Sequence, residues 1–212
     1  MHVVAFNGSP RAKGNTWHAF NMVGQELETA GISMEIVHVG NKKLRGCLAC
    51  GQCFKMKNEQ CIQKDDELNE YLQLAKKADG ILLGSPTHYA AIGGTMKCFL
   101  DRLFYVAGAN GGLLRHKVGA SVVAVRRSGG IPVFNHLNVY LCYAEMLIPG
   151  SNYWNVIHGA QMGEAEQDEE GKQIMRVLGK NMAWLLKLKE HGQGVVPEPA
   201  QEAKIAMNFI RN

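Results

Sequence analysis

Short apolar runs recur along the chain at intervals that suit buried strands. Such runs occupy residues 2–6, 33–39 and 81–83, and each is followed within two residues by a glycine. Residues 118–125 give the strongest strand signal, and residues 153–157 predict the last strand. Apolar runs without polar alternation are typical of strands whose two faces are both covered, as in a parallel sheet. The pattern therefore predicts five parallel strands.

Helical periodicity separates these strands. After the first strand, Trp17, Phe20 and Leu27 fall on one face of a helix that starts at Thr16 and closes at Gly31. Further helices are predicted from Asp65, at 94–105, at 133–144 and at 173–188. Strands that alternate with helices predict an α/β fold with helices on both faces of the sheet. Residues 40–63 are polar, basic and without a period, which predicts a long functional loop.

Composition and charge narrow the class of protein. The chain has 212 residues, 46% apolar and 20% charged, which suits one globular domain. We expect a domain over residues 1–190, with a Cys-rich loop at 41–63, and a tail over 191–212 that packs on the domain or on a neighbouring subunit. The net charge of +4 is scattered, so no nucleic-acid partner is expected, whereas a mild positive balance suits an anionic cofactor. Without a signal-peptide pattern or a membrane-length apolar run, we expect a cytoplasmic location, no membrane partner and reduced thiols.

The loop after the first strand, residues 8–16, has the composition of a phosphate cradle. Its glycines allow a tight turn, its serine, asparagine and threonine offer short hydrogen-bonding side chains, and Arg11 adds positive charge. The loop opens a helix whose first N–H groups attract an anion. A Walker A loop is excluded because five residues, not four, separate Gly8 from Gly14, and the dinucleotide fingerprint G-x-G-x-x-G is absent. An ordinary strand-to-helix turn is the alternative.

Two further loops follow the third and fourth strands. Residues 84–94 combine a turn, the pair His88-Tyr89 and small residues, which suits a surface against a flat ring system. Residues 126–130 read Arg-Arg-Ser-Gly-Gly, where glycines permit close backbone approach and arginine can stabilise negative charge on a reduced ring. Loops after the first, third and fourth strands meet at the switch point of a doubly wound sheet, where ligands bind. A loop with a surface histidine and a solvated arginine pair are the alternatives.

These loops resemble those of a known family. The segments FNGSPRAKGNT and LLGSPTHYAAIGGTMKCFLDR are similar to the NADPH-dependent FMN reductase and iron–sulfur flavoprotein family, over roughly residues 1–160. The resemblance implies a flavodoxin-like fold, with a three-layer, doubly wound, five-stranded parallel sheet of order 2-1-3-4-5, and FMN as cofactor. It also implies a homodimer or homotetramer. The implied FMN ligands are Ser9, Arg11, Gly14, Asn15 and Thr16 for the phosphate, Pro86, Thr87, His88 and Tyr89 for the ring, and Arg127, Ser128, Gly129 and Gly130 for its pyrimidine edge.

Four of the six cysteines form a compact C-x2-C-x2-C-x7-C pattern in the long loop. They are Cys47, Cys50, Cys53 and Cys61. Compact triplets suit a cubane cluster, because each thiolate must reach a different iron atom, whereas structural zinc usually takes two separated pairs. The pattern resembles the cysteine motif of iron–sulfur flavoproteins, which bind a [4Fe–4S] cluster. Zinc, free thiols and a redox disulfide are the alternatives, and Cys98 and Cys142 are expected to be inert core residues.

The leading functional hypothesis is an FMN-dependent oxidoreductase. We expect FMN to accept a hydride from NAD(P)H and to pass electrons to a small acceptor or to a protein, directly or through the cluster. The expected partners are therefore a small-molecule electron donor and acceptor. No side chain is expected to act as an essential general acid, because the cofactor carries the chemistry. A flavodoxin-like electron carrier without a substrate of its own is one alternative, and an FMN-free zinc sensor or scaffold is another.

Overall fold

The computed structural model describes residues 1–205 and 207, and one all-parallel sheet forms its centre. The strands are β1 (His2–Asn7), β2 (Ser33–His38), β3 (Gly80–Pro86), β4 (Val118–Val125) and β5 (Val156–His158). Their order in the sheet is β2-β1-β3-β4-β5. The predicted fold class and strand order are therefore confirmed.

Helices cover both faces of the sheet. They are α1 (Asn15–Thr29), α2 (Gln52–Met56), α3 (Leu68–Lys77), α4 (Gly94–Ala109), α5 (Gly130–Tyr143) and α6 (Glu169–Gly192). Alternate residues of β1 enter two separate cores, as strand geometry requires. Val3 and Ala5 face the core under α1 and α6, whereas Val4 and Phe6 face the core under α3, α4 and α5. Among the helices of the described residues, none is long and apolar enough to cross a bilayer.

The sheet has a crevice where the chain reverses direction across it. From β1 the chain passes to β2 on one side and then to β3 on the other side. Asn7 at the end of β1 lies opposite Gly84, and Pro86 at the end of β3 lies opposite Ala124. The carboxyl ends of the three central strands therefore lie side by side, and the loops that follow them share one edge of the sheet.

Two element boundaries differ from the prediction on the far side of the sheet. Helix α5 begins at Gly130 rather than at residue 133, because Gly129 adopts a left-handed φ of 85° and turns the chain into the helix. Strand β5 begins at Val156 rather than at residue 153, since the register with β4 starts at Val156 and the side chains of Tyr153 and Trp154 before it are exposed. The predicted helix at 133–144 and strand at 153–157 are thus displaced.

The last helix is longer than predicted. It spans Glu169–Gly192 rather than residues 173–188. Asp168 explains the early start, because its side chain accepts the N–H of Gly171 at 2.9 Å and so caps the first turn. The acidic residues before the predicted helix thus lie at the positive end of the helix dipole.

The described part of the tail lies against the domain. Arg115 Nη2 donates to the carbonyl of Pro199 at 2.9 Å, and the His116 ring lies 3.1 Å from the Glu198 carboxylate. Residues 206 and 208–212 of the predicted tail lie outside the described residues. The division of the chain at residue 190 stays a prediction.

The long loop and the two remaining cysteines need correction. Residues 40–63 contain a short helix, α2, which brings Cys53 into the interior. The prediction that Cys142 belongs to the core is wrong, since Cys142 is exposed, whereas Cys98 is half-buried and packs against the core. Cys142 lies next to Tyr143, which is also exposed, so this side of α5 faces away from the sheet.

Candidate functional site

A cleft of about 280 Å³ opens at the carboxyl ends of β1, β3 and β4. Its walls come from the loops after β1 and β3 and from the segment after β5. It is lined by Ser9, Pro10, Arg11, Gly14, Asn15, Thr16, Pro86, Thr87, His88, Ala124, Arg126, Gly159 and Ala160. All five predicted phosphate ligands are in this wall, with three of the four predicted ring neighbours.

Asn7 sets the shape of the first loop from inside the fold. Its Oδ1 accepts the N–H of Ser9 at 3.0 Å, and its Nδ2 donates to the carbonyl of Ala12 at 3.2 Å. Ser9 Oγ in turn accepts the N–H of Arg11 at 3.2 Å. Such side chain-to-backbone bonds hold the chain in a turn before the helix begins. Asn7 is not among the predicted site residues, although an asparagine at a strand end before a glycine is a turn signal.

The end of β2 and the residues that follow it support the same loop from the side. The ring of His38 lies 2.8 Å from the carbonyl oxygen of Ser9. A Cβ added at Gly40 would lie 2.2 Å from that oxygen, so only glycine fits there. The first loop is therefore held between two strands, and its backbone is prepared before any ligand binds.

The start of α1 offers unsatisfied donors to the cleft. The first N–H groups of a helix have no partner within the helix, and Gly14 at the N-cap has no side chain to satisfy them. Thr16 is 1% exposed, and its hydroxyl has no hydrogen-bond partner among the described residues. A buried hydroxyl without a partner is costly, so this group points to a ligand that completes the site.

Asn15 acts on a neighbouring loop as well as on the cleft. Its Nδ2 donates to the carbonyl of Gln161 at 2.8 Å, and its Oδ1 lies within 3.3 Å of the N–H groups of Gly163 and Ala165. Its side-chain amide is therefore used for holding the segment after β5. Its backbone N–H, at the first position of α1, is the group it can offer to an anion.

Hydrogen bonds within the segment after β5 hold its backbone in place. Glu164 accepts the N–H groups of Ala160 and Gln161 at 2.6 and 2.8 Å. Hydrogen bonds from Gln161 and Ala160 hold the pKa of this carboxyl below its usual value. The cleft wall formed by Gly159 and Ala160 is thus fixed from behind.

The second loop closes the cleft opposite α1. Its backbone is tied to β4 by the N–H of Thr87, which donates to the carbonyl of Ala124 at 2.9 Å. The Thr87 hydroxyl is buried and has no hydrogen-bond partner in the part of the chain that the structure describes. At the tip, Tyr89 and Ala90 adopt left-handed φ angles of 51° and 57°. Tyr89 is fully exposed and does not line the cleft, whereas His88 does.

The third loop presents a different arginine from the predicted one. Arg126 lines the cleft, while Arg127, Ser128, Gly129 and Gly130 line a neighbouring cavity of about 330 Å³. The two cavities share a wall, because a Cβ at Gly129 would lie 3.2 Å from Ala90 and 3.3 Å from Thr87. The third loop therefore touches the second, as predicted, and Arg126 and Arg127 face different cavities.

The cleft is positively charged. Arg11 and Arg126 lie in its wall, and no carboxylate is among its lining residues. Helix α1 adds the positive end of its dipole at the same place. This combination of cations, free backbone N–H groups and unpartnered hydroxyls suits a phosphate ester of limited size.

The four cysteines of the compact motif meet at a second site. All of them line one small cavity of about 20 Å³, together with Arg102 of α4. Burial raises the pKa of the Cys53 thiol against opposing backbone hydrogen bonds, and Cys47 and Cys50 raise it further. Nearby thiols that disfavour one another's ionised form are a donor set that a cation stabilises. Within the described residues, no three histidine, cysteine or acidic side chains are yet in metal-binding geometry.

Solved structures similar to this chain share its fold. RosB, with a bound 8-demethyl-8-formylriboflavin-5'-phosphate intermediate, gives a TM-score of 0.72 at 15% identity, covering 99% of this chain and 92% of its own. A flavodoxin from the domain Archaea gives 0.59 at 16% identity, covering 88% and 99%. A WrbA-like flavodoxin from Agrobacterium tumefaciens gives 0.58 at 14% identity, covering 88% and 97%.

Curated relatives are closer in sequence. An iron–sulfur flavoprotein of Methanocaldococcus jannaschii is 31% identical over 199 residues, which cover 89% of this chain and 98% of the relative. A second one from the same organism is 32% identical, covering 83% and 92%. An iron–sulfur flavoprotein of Methanosarcina thermophila is 27% identical, covering 89% and 96%.

The family model for NADPH-dependent FMN reductase matches residues 1–161. The match includes every loop of the cleft and all four cysteines of the compact motif. With the fold, the cleft and these relatives in agreement, the chain belongs to the NADPH-dependent FMN reductase family.

Proposed function

We propose that this protein is an FMN-dependent oxidoreductase that holds FMN in the cleft between the first and second loops. The phosphate would lie against Ser9, Arg11, Gly14 and the first turn of α1. The ring would lie along the second loop at Pro86, Thr87 and His88, with Arg127 to Gly130 toward its pyrimidine edge. The family and the flavoprotein relatives support this assignment.

The residues present fit such a ligand. The Thr16 and Thr87 hydroxyls are buried without partners among the described residues, and both residues lie in the cleft wall. Arg11 and Arg126 supply positive charge on the same wall. When bound, FMN supplies a ring that accepts a hydride and releases electrons singly or in pairs. The chain's own part is to bind the phosphate, orient the ring and place charge beside it.

The electron donor and the second cofactor are further parts of the proposal. We propose NAD(P)H as donor, in agreement with the family's description, and a small molecule or protein as acceptor. We propose that Cys47, Cys50, Cys53 and Cys61 hold a [4Fe–4S] cluster. This is supported by their shared cavity and by relatives that are named iron–sulfur flavoproteins. We also propose a homodimer or homotetramer in the cytoplasm, where such thiols stay reduced.

The single observation that carries the proposal is the unpartnered Thr16 hydroxyl at the N-terminus of α1. Thr16→Val removes this hydroxyl and keeps the shape of the side chain. Since hydrogen bonds to charged groups are the strong ones, the FMN dissociation constant should rise about tenfold. Titration of apoprotein with FMN, followed by flavin fluorescence, measures it.

Thr29→Val is the matched control, because Thr29 ends the same helix and its hydroxyl is bonded to the carbonyl of Gln25 at 2.8 Å. Its FMN affinity should equal that of the wild type. Equal affinities in all three proteins would remove the basis for placing the phosphate at α1. NAD(P)H oxidation by the FMN-loaded protein, and iron and sulfide analysis after anaerobic purification, test the donor and the cluster separately.

A further inference from the structure

One buried arginine directs its hydrogen bonds into the cysteine segment. Arg102 is 1% exposed and lies on α4. Its Nη1 donates to the Asp66 carboxylate at 2.5 Å and to the carbonyl of Arg45 at 3.2 Å. Its Nη2 donates to the carbonyl of Gln63 at 3.2 Å and to Cys61 Sγ at 3.4 Å. Every acceptor of this guanidinium thus belongs to residues 45–66.

The hydrogen bonds of Arg102 are not needed to hold α4 in the core, because its apolar neighbours already pack there. Phe99, Leu100 and Leu103, the neighbours of Arg102 in α4, are at most 1% exposed and pack against the sheet. Burying a charged group is costly unless it is paired and hydrogen-bonded, and an apolar residue would fill the same space without that cost. The arginine adds a planar guanidinium, whose donors reach four different residues of segment 45–66 at the same time.

Other side chains hold the backbone of this segment but not its sulfur. Asn69 accepts the N–H of Cys61 at 2.7 Å and donates to the carbonyl of Cys61 at 3.1 Å. Arg102 makes the contact to the Cys61 sulfur itself, and it lines the same cavity as the four cysteines. Its Nε is buried and has no hydrogen-bond partner within the described residues.

We infer that Arg102 is the positioning residue of the four-cysteine site: its guanidinium fixes the segment on both sides of the site and hydrogen-bonds the Cys61 sulfur. Its relevance to electron transfer rests on the proposed cluster, but the positioning itself does not. The ligand proposed for this site is an iron–sulfur cluster. The reduction potential of such a cluster depends on its net charge and on hydrogen bonds to its sulfurs.

The test replaces the whole buried pair rather than one partner. Removing one partner leaves an unpaired buried charge, whereas exchanging both for apolar residues of similar volume is often neutral for stability. The variant is therefore R102M/D66L, measured without metal. Cys53 is the reporter, because it is 7% exposed and none of the Arg102 hydrogen bonds among the described residues goes to it. The rate of its alkylation by iodoacetamide should rise about tenfold, since the segment opens more often.

The matched control is R115M/E145L. Arg115 lies between α4 and β4, its side chain is mostly buried, and it pairs with Glu145 at 2.6 Å. Among the described residues its side-chain hydrogen bonds go to Glu145 and Pro199 and not to residues 45–66. Alkylation of Cys53 should be unchanged in this control. An unchanged rate in folded R102M/D66L would overturn the inference and leave Arg102 as a packing residue.

If R102M/D66L does not fold, the conservative variant R102K provides the test. R102K retains the charge but lacks the fork, so it should also speed alkylation of Cys53, and a wild-type rate would overturn the inference. After anaerobic loading with ferrous iron and sulfide, the R102K protein should bind less iron than wild type. Its cluster should have a more negative midpoint potential, because the bond to the Cys61 sulfur is lost.

The two proposals fail in different ways. Wild-type protein that takes up no iron and sulfide contradicts the proposed cluster, while the alkylation rates still decide the role of Arg102. FMN affinity should be the same in all of these variants. A loss of FMN affinity in R102M/D66L alone would show that the arginine supports the whole domain, and the inference would be withdrawn.

Discussion

The cleft and the cysteine site differ in what they are made of. The cleft is shaped by main chain: Asn7 turns the backbone, Gly40 lets another strand approach it, and the first N–H groups of α1 face the opening. The cysteine site is shaped by side chains, with four thiols around a small cavity and one arginine behind them. A site made of main chain is prepared by the fold, whereas a site made of side chains depends on the few residues that place them.

The cysteine segment also contains backbone strain at non-glycine residues. In the cysteine segment Ala49, Lys57 and Glu59 adopt left-handed φ angles, which cost about 1 kcal/mol or more each for non-glycine residues. Three hydrogen bonds hold Glu59 there: its N–H donates to the Asn110 side chain at 2.9 Å, and its carboxylate accepts two bonds from Lys76 Nζ at 2.6 and 2.8 Å. The segment therefore needs contacts with α3 and α4 to keep its shape.

The largest effect is expected from breaking the main-chain site. In Gly40→Ala the new Cβ would collide with the carbonyl of Ser9, which belongs to backbone and cannot rotate away. We expect a loss of about 3 kcal/mol in the free energy of unfolding and at least a tenfold loss of FMN affinity. Urea unfolding and FMN titration measure these two quantities.

Gly108→Ala serves as the comparison, because nothing lies within 4 Å of its added Cβ inside α4. Alanine is the better helix former by up to about 1 kcal/mol, so this variant should be at least as stable as wild type. A Gly40→Ala protein that binds FMN normally would contradict the view that the backbone shapes the cleft.

A moderate effect is expected at Asn15. Asn15→Ala removes three hydrogen bonds to the segment after β5, so that wall of the cleft should loosen. FMN affinity should fall about fivefold, and the amides of Gly163 and Ala165 should exchange with solvent faster. Asn21→Ala in the same helix, where within the described residues the side chain bonds only to the carbonyl of Trp17, should change neither. Weaker FMN binding with unaltered exchange would mean that the Asn15 side chain contacts the ligand directly.

The smallest effect is expected at Asp168, which lines the cavity beside the cleft but neither the cleft itself nor the cysteine cavity. Burial raises the pKa of this carboxyl, but hydrogen bonds from the N–H groups of Gly171 and His158 outweigh it and lower the pKa below its usual value. The carboxylate therefore stabilises the fold fully above about pH 4, and this contribution is lost as the pH falls through the lower native pKa.

Asp168→Asn should consequently cost about 1 kcal/mol of unfolding free energy at neutral pH, and the gap to wild type should close toward about pH 3. Urea unfolding at the two pH values measures the gap. Glu170→Gln, an exposed change in the same turn, should show no such dependence. A gap that stays constant with pH would mean that Asp168 does not act through its charge.

The sequence predicts the fold well because both depend on local patterns. Apolar runs and helical stripes are read within a few residues of one another, and they lead to the observed strand order. The compact cysteine spacing likewise leads to one cavity. The supporting residues are not local, since His38 reaches Ser9 across 29 positions and Arg102 reaches Cys61 across 41. Contacts between residues so far apart in the sequence cannot be predicted from hydrophobic periodicity.

The third loop illustrates the remaining difficulty. The sequence offers Arg126 and Arg127 side by side, and only the twist at the end of β4 decides that the first lines the cleft and the second the neighbouring cavity. The start of α5 at Gly130 depends on the positive φ of Gly129, which is a property of the folded turn. The location of a loop can thus be predicted when the direction of each side chain cannot.

Helix α4 sets the spacing between the two sites. It begins at Gly94, directly after the second loop, and it carries Arg102 eight residues later. That interval corresponds to roughly 12 Å of axial rise and a little over two turns. Inserting one residue between them would rotate the guanidinium by about 100° around the axis, away from the cysteines. The length of this interval, as much as the identity of its residues, is therefore what variants of this protein must keep.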